Sequence, residues 1–178
     1  MTTLLLVDDE MSVLTALRRS LRQHFGADIQ VEICNDPAAG LQRALERRFD
    51  IVVCDLRMPG IDGMAFLTRF TDIQPLCVKL MLTGSADFST AQRAVNEIGI
   101  FRYLTKPWQD TELAEHMQAA MDHAREAALQ REQASAWAAS QGTISPQELE
   151  RRRLEQLEPG LTQVDWGADG AVIMPPLN

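Results

Sequence analysis

Cysteine is scarce in this chain: three in 178 residues, Cys34, Cys54 and Cys77, far apart and each within an apolar, strand-like stretch. No Cys-x-x-Cys or His-flanked spacing occurs, which argues against zinc. An odd number of buried-looking thiols fits a reducing, cytoplasmic setting better than a disulfide framework. Long apolar runs are also missing. None approaches the ~20 residues that cross a bilayer, so no membrane partner is expected. The first apolar run has no basic segment before it and is cut short by Asp8-Asp9, so no signal peptide is expected. Basic residues are outnumbered: the net charge is -8 and the pI about 4.9, the opposite of a nucleic-acid-binding surface. The deficit is spread along the chain, with 12 basic and 17 acidic side chains in residues 1–122 (net -5) and 5 and 8 in residues 123–178 (net -3).

What is present is ordinary globular composition, 46% hydrophobic and 24% charged, enough for one domain with a core and an appendage. Up to about residue 122, strand and helix patterns alternate. Thr3–Val7 is a continuous apolar run, as for a strand buried on both faces. Val13, Leu14, Leu17, Leu21 and Phe25 recur at helical spacing until Gly26. Ile29, Val31 and Ile33 alternate as a half-buried strand. Asp36-Pro37 reads as N-cap and first residue of a helix with Ala38, Leu41, Ala44, Leu45 and Phe49 on its buried face. Ile51–Cys54 is a third strand, and Met58–Gly63 a loop by its Pro and Gly content. Met64, Phe66, Leu67 and Phe70 open a further helix. Leu76–Leu82 is a fourth strand interrupted by Lys79, Ala86–Ile98 a helix, Ile100–Leu104 a fifth strand and Lys106-Pro107 a turn. Leu113, Met117, Ala120 and Met121 form the face of a fifth helix.

Five strands alternating with five helices imply a mainly parallel, doubly wound α/β sheet. In such sheets the ligand crevice lies beyond the carboxyl ends of the strands. Asp8-Asp9, Asp55, Thr83 and Lys106 each follow an apolar strand, so connectivity alone predicts that they line one rim. Carboxylates gathered there repel one another unless a cation joins them. Mg²⁺ is bound by one or two carboxylates plus waters and phosphate oxygens. Asp9 and Asp55 can supply those carboxylates, with Asp8 holding a metal-bound water. A carboxylate can also attack phosphorus, giving an aspartyl phosphate. Lys106 would neutralise charge on the phosphoryl oxygens, and the Thr83 hydroxyl, next to unhindered Gly84, would sense the phosphoryl group.

The runs Leu-Leu-Val-Asp8-Asp9-Glu10, Asp55-Leu-Arg-Met-Pro59-Gly, Thr83-Gly-Ser and Tyr103-Leu-Thr-Lys106-Pro107, in this order over about residues 3–122, resemble the CheY-like receiver domain of bacterial two-component response regulators. The resemblance implies a five-stranded flavodoxin-like fold and Mg²⁺-dependent phosphorylation of Asp55 by a sensor histidine kinase or phosphotransfer protein. It assigns Asp8, Asp9, Asp55 and the Arg57 backbone carbonyl to the metal. Lys106 and Thr83 then contact the phosphoryl group, and Tyr103, the only tyrosine, is the aromatic switch that follows Thr83. A module of this kind catalyses its own phosphorylation and dephosphorylation but signals and is not an enzyme by function. The segment Asn96–Trp108 is similar to a subgroup often joined to phosphohydrolase or transcriptional outputs, neither of which is recognisable here.

Each residue also has a plainer reading. Asp8 and Asp9 could cap the first helix, Asp55 could start an Asx-turn, and Lys106 could be a solvated turn lysine. Thr83 and Tyr103 could be ordinary strand residues, and Arg18, Arg19 and Arg22 a solvated helix face. The common register of Asp8, Asp9, Asp55, Thr83 and Lys106 favours the shared site, while the other reading of the three arginines is a kinase-docking face. A haloacid-dehalogenase-like phosphatase would want Asp-x-Asp after the first strand, where this chain has Asp8-Asp9-Glu10. A receiver-like scaffold that is not phosphorylated would be expected to have lost the acceptor. Residues 123–178 read as an extension of the fifth helix to Ser140, a short helix from Ser145 with Leu149, Leu154 and Leu157, and a hairpin about Gly167–Gly170. They hold no recognisable helix-turn-helix, and Arg151–Arg153 sits among acids. The output is therefore expected to be a downstream effector, or a homodimer through the alanine-rich helix with Leu129 and Trp137.

Overall fold

The computed structural model describes residues 1–84 and 98–140, together with 151, 154, 165–166 and 172–173. Five strands form one parallel sheet in the order β2-β1-β3-β4-β5, where β1 is Thr2–Val7, β2 Ile29–Cys34, β3 Ile51–Asp55, β4 Val78–Gly84 and β5 Arg102–Lys106. Helices α1 (Met11–Phe25), α2 (Pro37–Glu46) and α3 (Gly63–Ile73) and a long helix, Asp110–Ser140, complete the described domain. This is the doubly wound parallel sheet that the alternating pattern predicts, in the flavodoxin-like strand order that the resemblance implies. The helix expected over Ala86–Ile98 lies outside the described residues except for Ile98.

The central strands are apolar on both faces because both faces are covered. Leu4 and Leu6 of β1, Ile51 and Val53 of β3, and Leu80 and Leu82 of β4 pack with Leu14, Leu17 and Leu21 of α1 and with Leu113, Met117, Ala120 and Met121 of the long helix. The alternate residues Leu5, Val7, Val52, Cys54 and Met81 pack with Phe66, Leu67 and Phe70 of α3. The side chains of each strand thus feed two cores in turn. All three cysteines are free and buried, and burial pushes their thiols up, away from nucleophilic reactivity.

Several local readings shift. In α2 the Asp36 side chain caps as expected, accepting from the Ala38 and Ala39 amides. However, Ala38 and Leu45 are exposed and Phe49 lies beyond the helix end. The buried face is Pro37, Gly40 and Ala44, because α2 approaches α3 where Gly40 leaves room for the Phe66 ring. Strand β4 begins at Val78 and not at Leu76. The preceding turn is held by Gln74, whose buried amide donates to the Ala44 and Arg47 carbonyls and accepts from the Phe49 amide. Lys79 does not interrupt β4. It pairs with Val52 inside the sheet, and burial pulls its ammonium pKa down. Strand β5 starts at Arg102, after Gly99 at φ +70°.

The long helix runs without a break through residue 122. It is core-facing up to Ala124, with His123 stacked on Phe101, and most of its described side chains beyond that are exposed, Leu129 and Trp137 among them. Asp165–Trp166 pairs antiparallel with Val172–Ile173, as the hairpin reading requires; its turn and the Ser145 helix start lie outside the described residues. No helix among the described residues is long and apolar enough to cross a membrane.

One close approach ties the helices to the rim. A Cβ at Gly63, the first residue of α3, would stand 2.2 Å from the Asp55 carbonyl oxygen and 2.8 Å from Leu56 Cα. The Gly63 amide donates to the Leu56 carbonyl at 2.9 Å, which locks that approach. Gly63→Ala should therefore cost about 2–3 kcal/mol, as overpacking against rigid backbone does. Gly40→Ala, whose Cβ would meet side chains and not backbone, the edge of the Phe66 ring at 3.2 Å and Val7 Cγ2 at 3.4 Å, should cost about 1 kcal/mol or less. Urea unfolding of the two variants gives the comparison.

Candidate functional site

Strand register gathers the site. Val7 lies opposite Cys54, so Asp8 follows β1 at the level of Asp55, the last residue of β3. Asp55 lies opposite Leu82, and Thr83 follows directly in β4. Gly84 lies opposite Lys106 at the end of β5. Four adjacent strands thus deliver Asp8, Asp55, Thr83 and Lys106 to one edge, although Lys106 is 98 positions from Asp8 in sequence.

At the centre stands the Lys106 ammonium, 2.6 Å from Asp8 Oδ2 and 2.6 Å from Asp55 Oδ1. The side chains of Asp8 and Asp55 are 0% and 6% exposed, so both carboxylates are withdrawn from water and Lys106 is the cation that compensates them. The remaining oxygens bond to backbone. Asp8 Oδ1 accepts from the Glu10 amide at 2.9 Å, and Asp55 Oδ2 from the Arg57 amide at 2.9 Å. The Asx-turn reading of Asp55 is thereby realised together with the shared site. Asp8 does not act as the helix cap: that position is Glu10, with no side-chain cap bond. Burial pushes the Asp55 carboxyl up, opposed by the Lys106 ammonium and helped by the nearby Asp8 charge. Burial works to lower the Lys106 pKa, but its two carboxylate partners outweigh burial and raise it, so the lysine stays charged.

Asp9 departs from the sequence reading of the two acids. It is exposed, whereas Asp8 is the inner carboxylate, because successive side chains leaving a strand point apart. Among the described residues no three His, Cys, Asp or Glu side chains are gathered as a metal-holding group; the core of the site is two carboxylates and one ammonium. Thr83 is buried at the end of β4, its hydroxyl donating to the Gly84 carbonyl at 3.1 Å. Tyr103 is half-buried on the edge strand and packs against the α3-side core. The Arg57 amide holds Asp55 as the Asx-turn reading allows, whereas Gly63, which left no sequence signal, bears on the Asp55 carbonyl through the side chain it lacks.

Hard oxygen donors at this rim suit a hard divalent cation. Two carboxylates and one ammonium leave the buried cluster one negative charge in excess. Converting Asp55 to an acyl phosphate would add a further negative charge, which a divalent cation balances. The residues present therefore fit Mg²⁺.

Residues 4–118 match the family model of the response regulator receiver domain. The hydrogenase transcriptional regulatory protein HoxA of Bradyrhizobium diazoefficiens is 35% identical over 120 residues, 67% of this chain and 24% of that protein. The chain thus spans about a quarter of the length of the curated relatives it matches. Among solved structures, adenylate cyclase from Rhodopirellula baltica superposes with a TM-score of 0.68 at 33% identity, covering 74% of this chain and 96% of that one. The signal receiver domain of an HD domain-containing protein from Pseudomonas fluorescens gives a TM-score of 0.65 at 30% identity, covering 70% and 98%.

The charge excess has a sign that can be measured. The folded chain holds the Asp55 proton more tightly than the unfolded chain does. The acid therefore costs stability above its folded pKa, and the cost vanishes as pH falls towards the ordinary value of ~3.9. Asp55→Asn should raise Tm at pH 7 by about 2–5 °C, and this gain should shrink as the pH is lowered to about 3.5. Lys106→Met, which leaves both carboxylates uncompensated, should cost about 3 kcal/mol at pH 7. Thermal unfolding followed by circular dichroism across pH reads all three.

Proposed function

The chain belongs to the response regulator receiver family of two-component systems, and from that membership and the geometry of the rim we propose that it accepts a phosphoryl group on Asp55 from a sensor histidine kinase or a phosphotransfer protein, in a Mg²⁺-dependent reaction. The observation that carries the proposal is the buried Asp55 carboxylate at the end of β3, sharing one ammonium with Asp8.

In this reading an Asp55 oxygen attacks phosphorus as the bond to the donor nitrogen or oxygen breaks. The raised basicity that burial confers on Asp55 favours it as a nucleophile. Lys106 is the fixed positive charge that receives the phosphoryl oxygens, and its two present carboxylate contacts aim it. Asp8, Asp9, Asp55 and the Arg57 carbonyl would hold Mg²⁺, which when bound neutralises charge on the phosphoryl oxygens. Thr83, one position beyond the level of Asp55 on the neighbouring strand, is placed to follow the new group. Tyr103, two positions before Thr105, which pairs with Thr83, would carry the change to the outer face of β5. The signal passes by population shift to a downstream effector or a second copy of the chain. The curated relatives are transcriptional regulators, but most of their length lies outside this match, and action here through a partner protein, in the cytoplasm and without direct nucleic-acid contact, agrees with the net charge of -8.

Incubation with radiolabelled acetyl phosphate and Mg²⁺ should label the full chain at one site. Asp55→Asn should abolish the label, and chelation of the metal should suppress it at least tenfold, about 1.4 kcal/mol of transition-state stabilisation. Undiminished acid-stable label in the Asn variant would place the acceptor elsewhere.

A further inference from the structure

Lys106 is the last residue of β5, and the long helix begins at Asp110. The connection is only Pro107, Trp108 and Gln109. Its middle is anchored by Trp108, half-buried against the core between the sheet and α1. Its far end is anchored by a long-range side-chain bond, Ser20 Oγ donating to Asp110 Oδ1 at 2.8 Å across 90 positions of sequence. Ser20 is a small hydroxyl on the buried face of α1, 8% exposed, among Leu14, Leu17 and Leu21. A hydroxyl at such a position is costly unless it is bonded. Asp110 sits in the first helical turn, where an acid is favoured and its orientation is held by the helix.

We propose that Ser20 and Asp110 are positioning residues for Lys106. Their bond fixes the start of the long helix against α1, and so the path of the three-residue connection whose other end sets the lysine stem. The inference rests on the phosphoacceptor reading above and deepens it. The pair touches neither the acids nor the reacting atoms. Its effect is transmitted along the backbone to the one group that receives the phosphoryl oxygens, while the carboxylates that would hold the metal are carried by other strands. Loosening the pair should weaken anion binding and spare metal binding, because a lysine displaced by a fraction of an ångström loses directional contact, whereas the Asp8 and Asp55 backbones stay in register.

The test is calorimetric titration of the full chain, first with Mg²⁺ alone and then, at saturating Mg²⁺, with beryllofluoride as the phosphoryl mimic. Ser20→Ala and Asp110→Ala should each weaken beryllofluoride about fivefold, with Mg²⁺ affinity within error of the parent. Ser20→Thr and Asp110→Asn, which keep donor and acceptor, should restore it. Beryllofluoride affinity unchanged in both alanine variants overturns the assignment. Equal losses of Mg²⁺ and beryllofluoride affinity also overturn it, since they would mean general loosening. If the parent chain itself fails to bind beryllofluoride, the phosphoacceptor reading fails and the positioning role falls with it; a parent that binds beside indifferent variants removes the positioning role alone.

Discussion

The rim is organised by one shared charge. A single ammonium is drawn between two carboxylates that the fold has taken out of water, and neither acid would be tolerable there without it. The arrangement is not neutral, however. One negative charge remains uncompensated, and Asp55 carries the consequence as a carboxyl pushed up by burial. The site is therefore held in a state that invites further positive charge and is set up to exchange partners. A buried pair built for stability alone would be expected to close its charge balance.

That arrangement is a product of parallel pairing. Strands β1, β3, β4 and β5 all end at the same edge because every connection returns the chain to the opposite edge before the next strand begins. The two cores on either face fix the register, since a slip of one residue would turn Leu4 and Leu6 out of one core and Leu5 and Val7 out of the other. The ends of the strands can then carry polar groups whose positions are set by apolar packing some way below them. Gly63 extends the same control to the helix layer, resting α3 directly on the peptide of the acceptor residue.

Much of this was legible in the sequence. Strands β1 and β3 stand out as continuous apolar runs ending in acid, and the long helix as Leu113, Met117, Ala120 and Met121, all of which are buried. Connectivity then predicted the rim. What could not be read depends on contacts between distant segments. Leu45 looks like a core residue by spacing, yet α2 meets α3 through Gly40 and leaves it outside. Gln74 and Lys79 look like surface residues, yet one staples the turn before β4 and the other lies within that strand. Which of two adjacent acids faces inward is decided by how the chain leaves β1, and spacing carries no trace of it. The bond from Ser20 to Asp110 has no signature at all, being an ordinary serine meeting an ordinary first-turn acid.

The long helix adds a mechanical property to the electrostatic one. It is rooted beside the lysine and grips the core as far as Ala124, with His123 stacked on Phe101, after which the helix runs on to Ser140. At 1.5 Å per residue that further portion is about 24 Å long, so a tilt of about 5° at the root carries its tip about 2 Å. An α-helix resists bending over that distance. A rearrangement too small to alter the sheet would therefore arrive magnified at the far end, like the pointer of a balance.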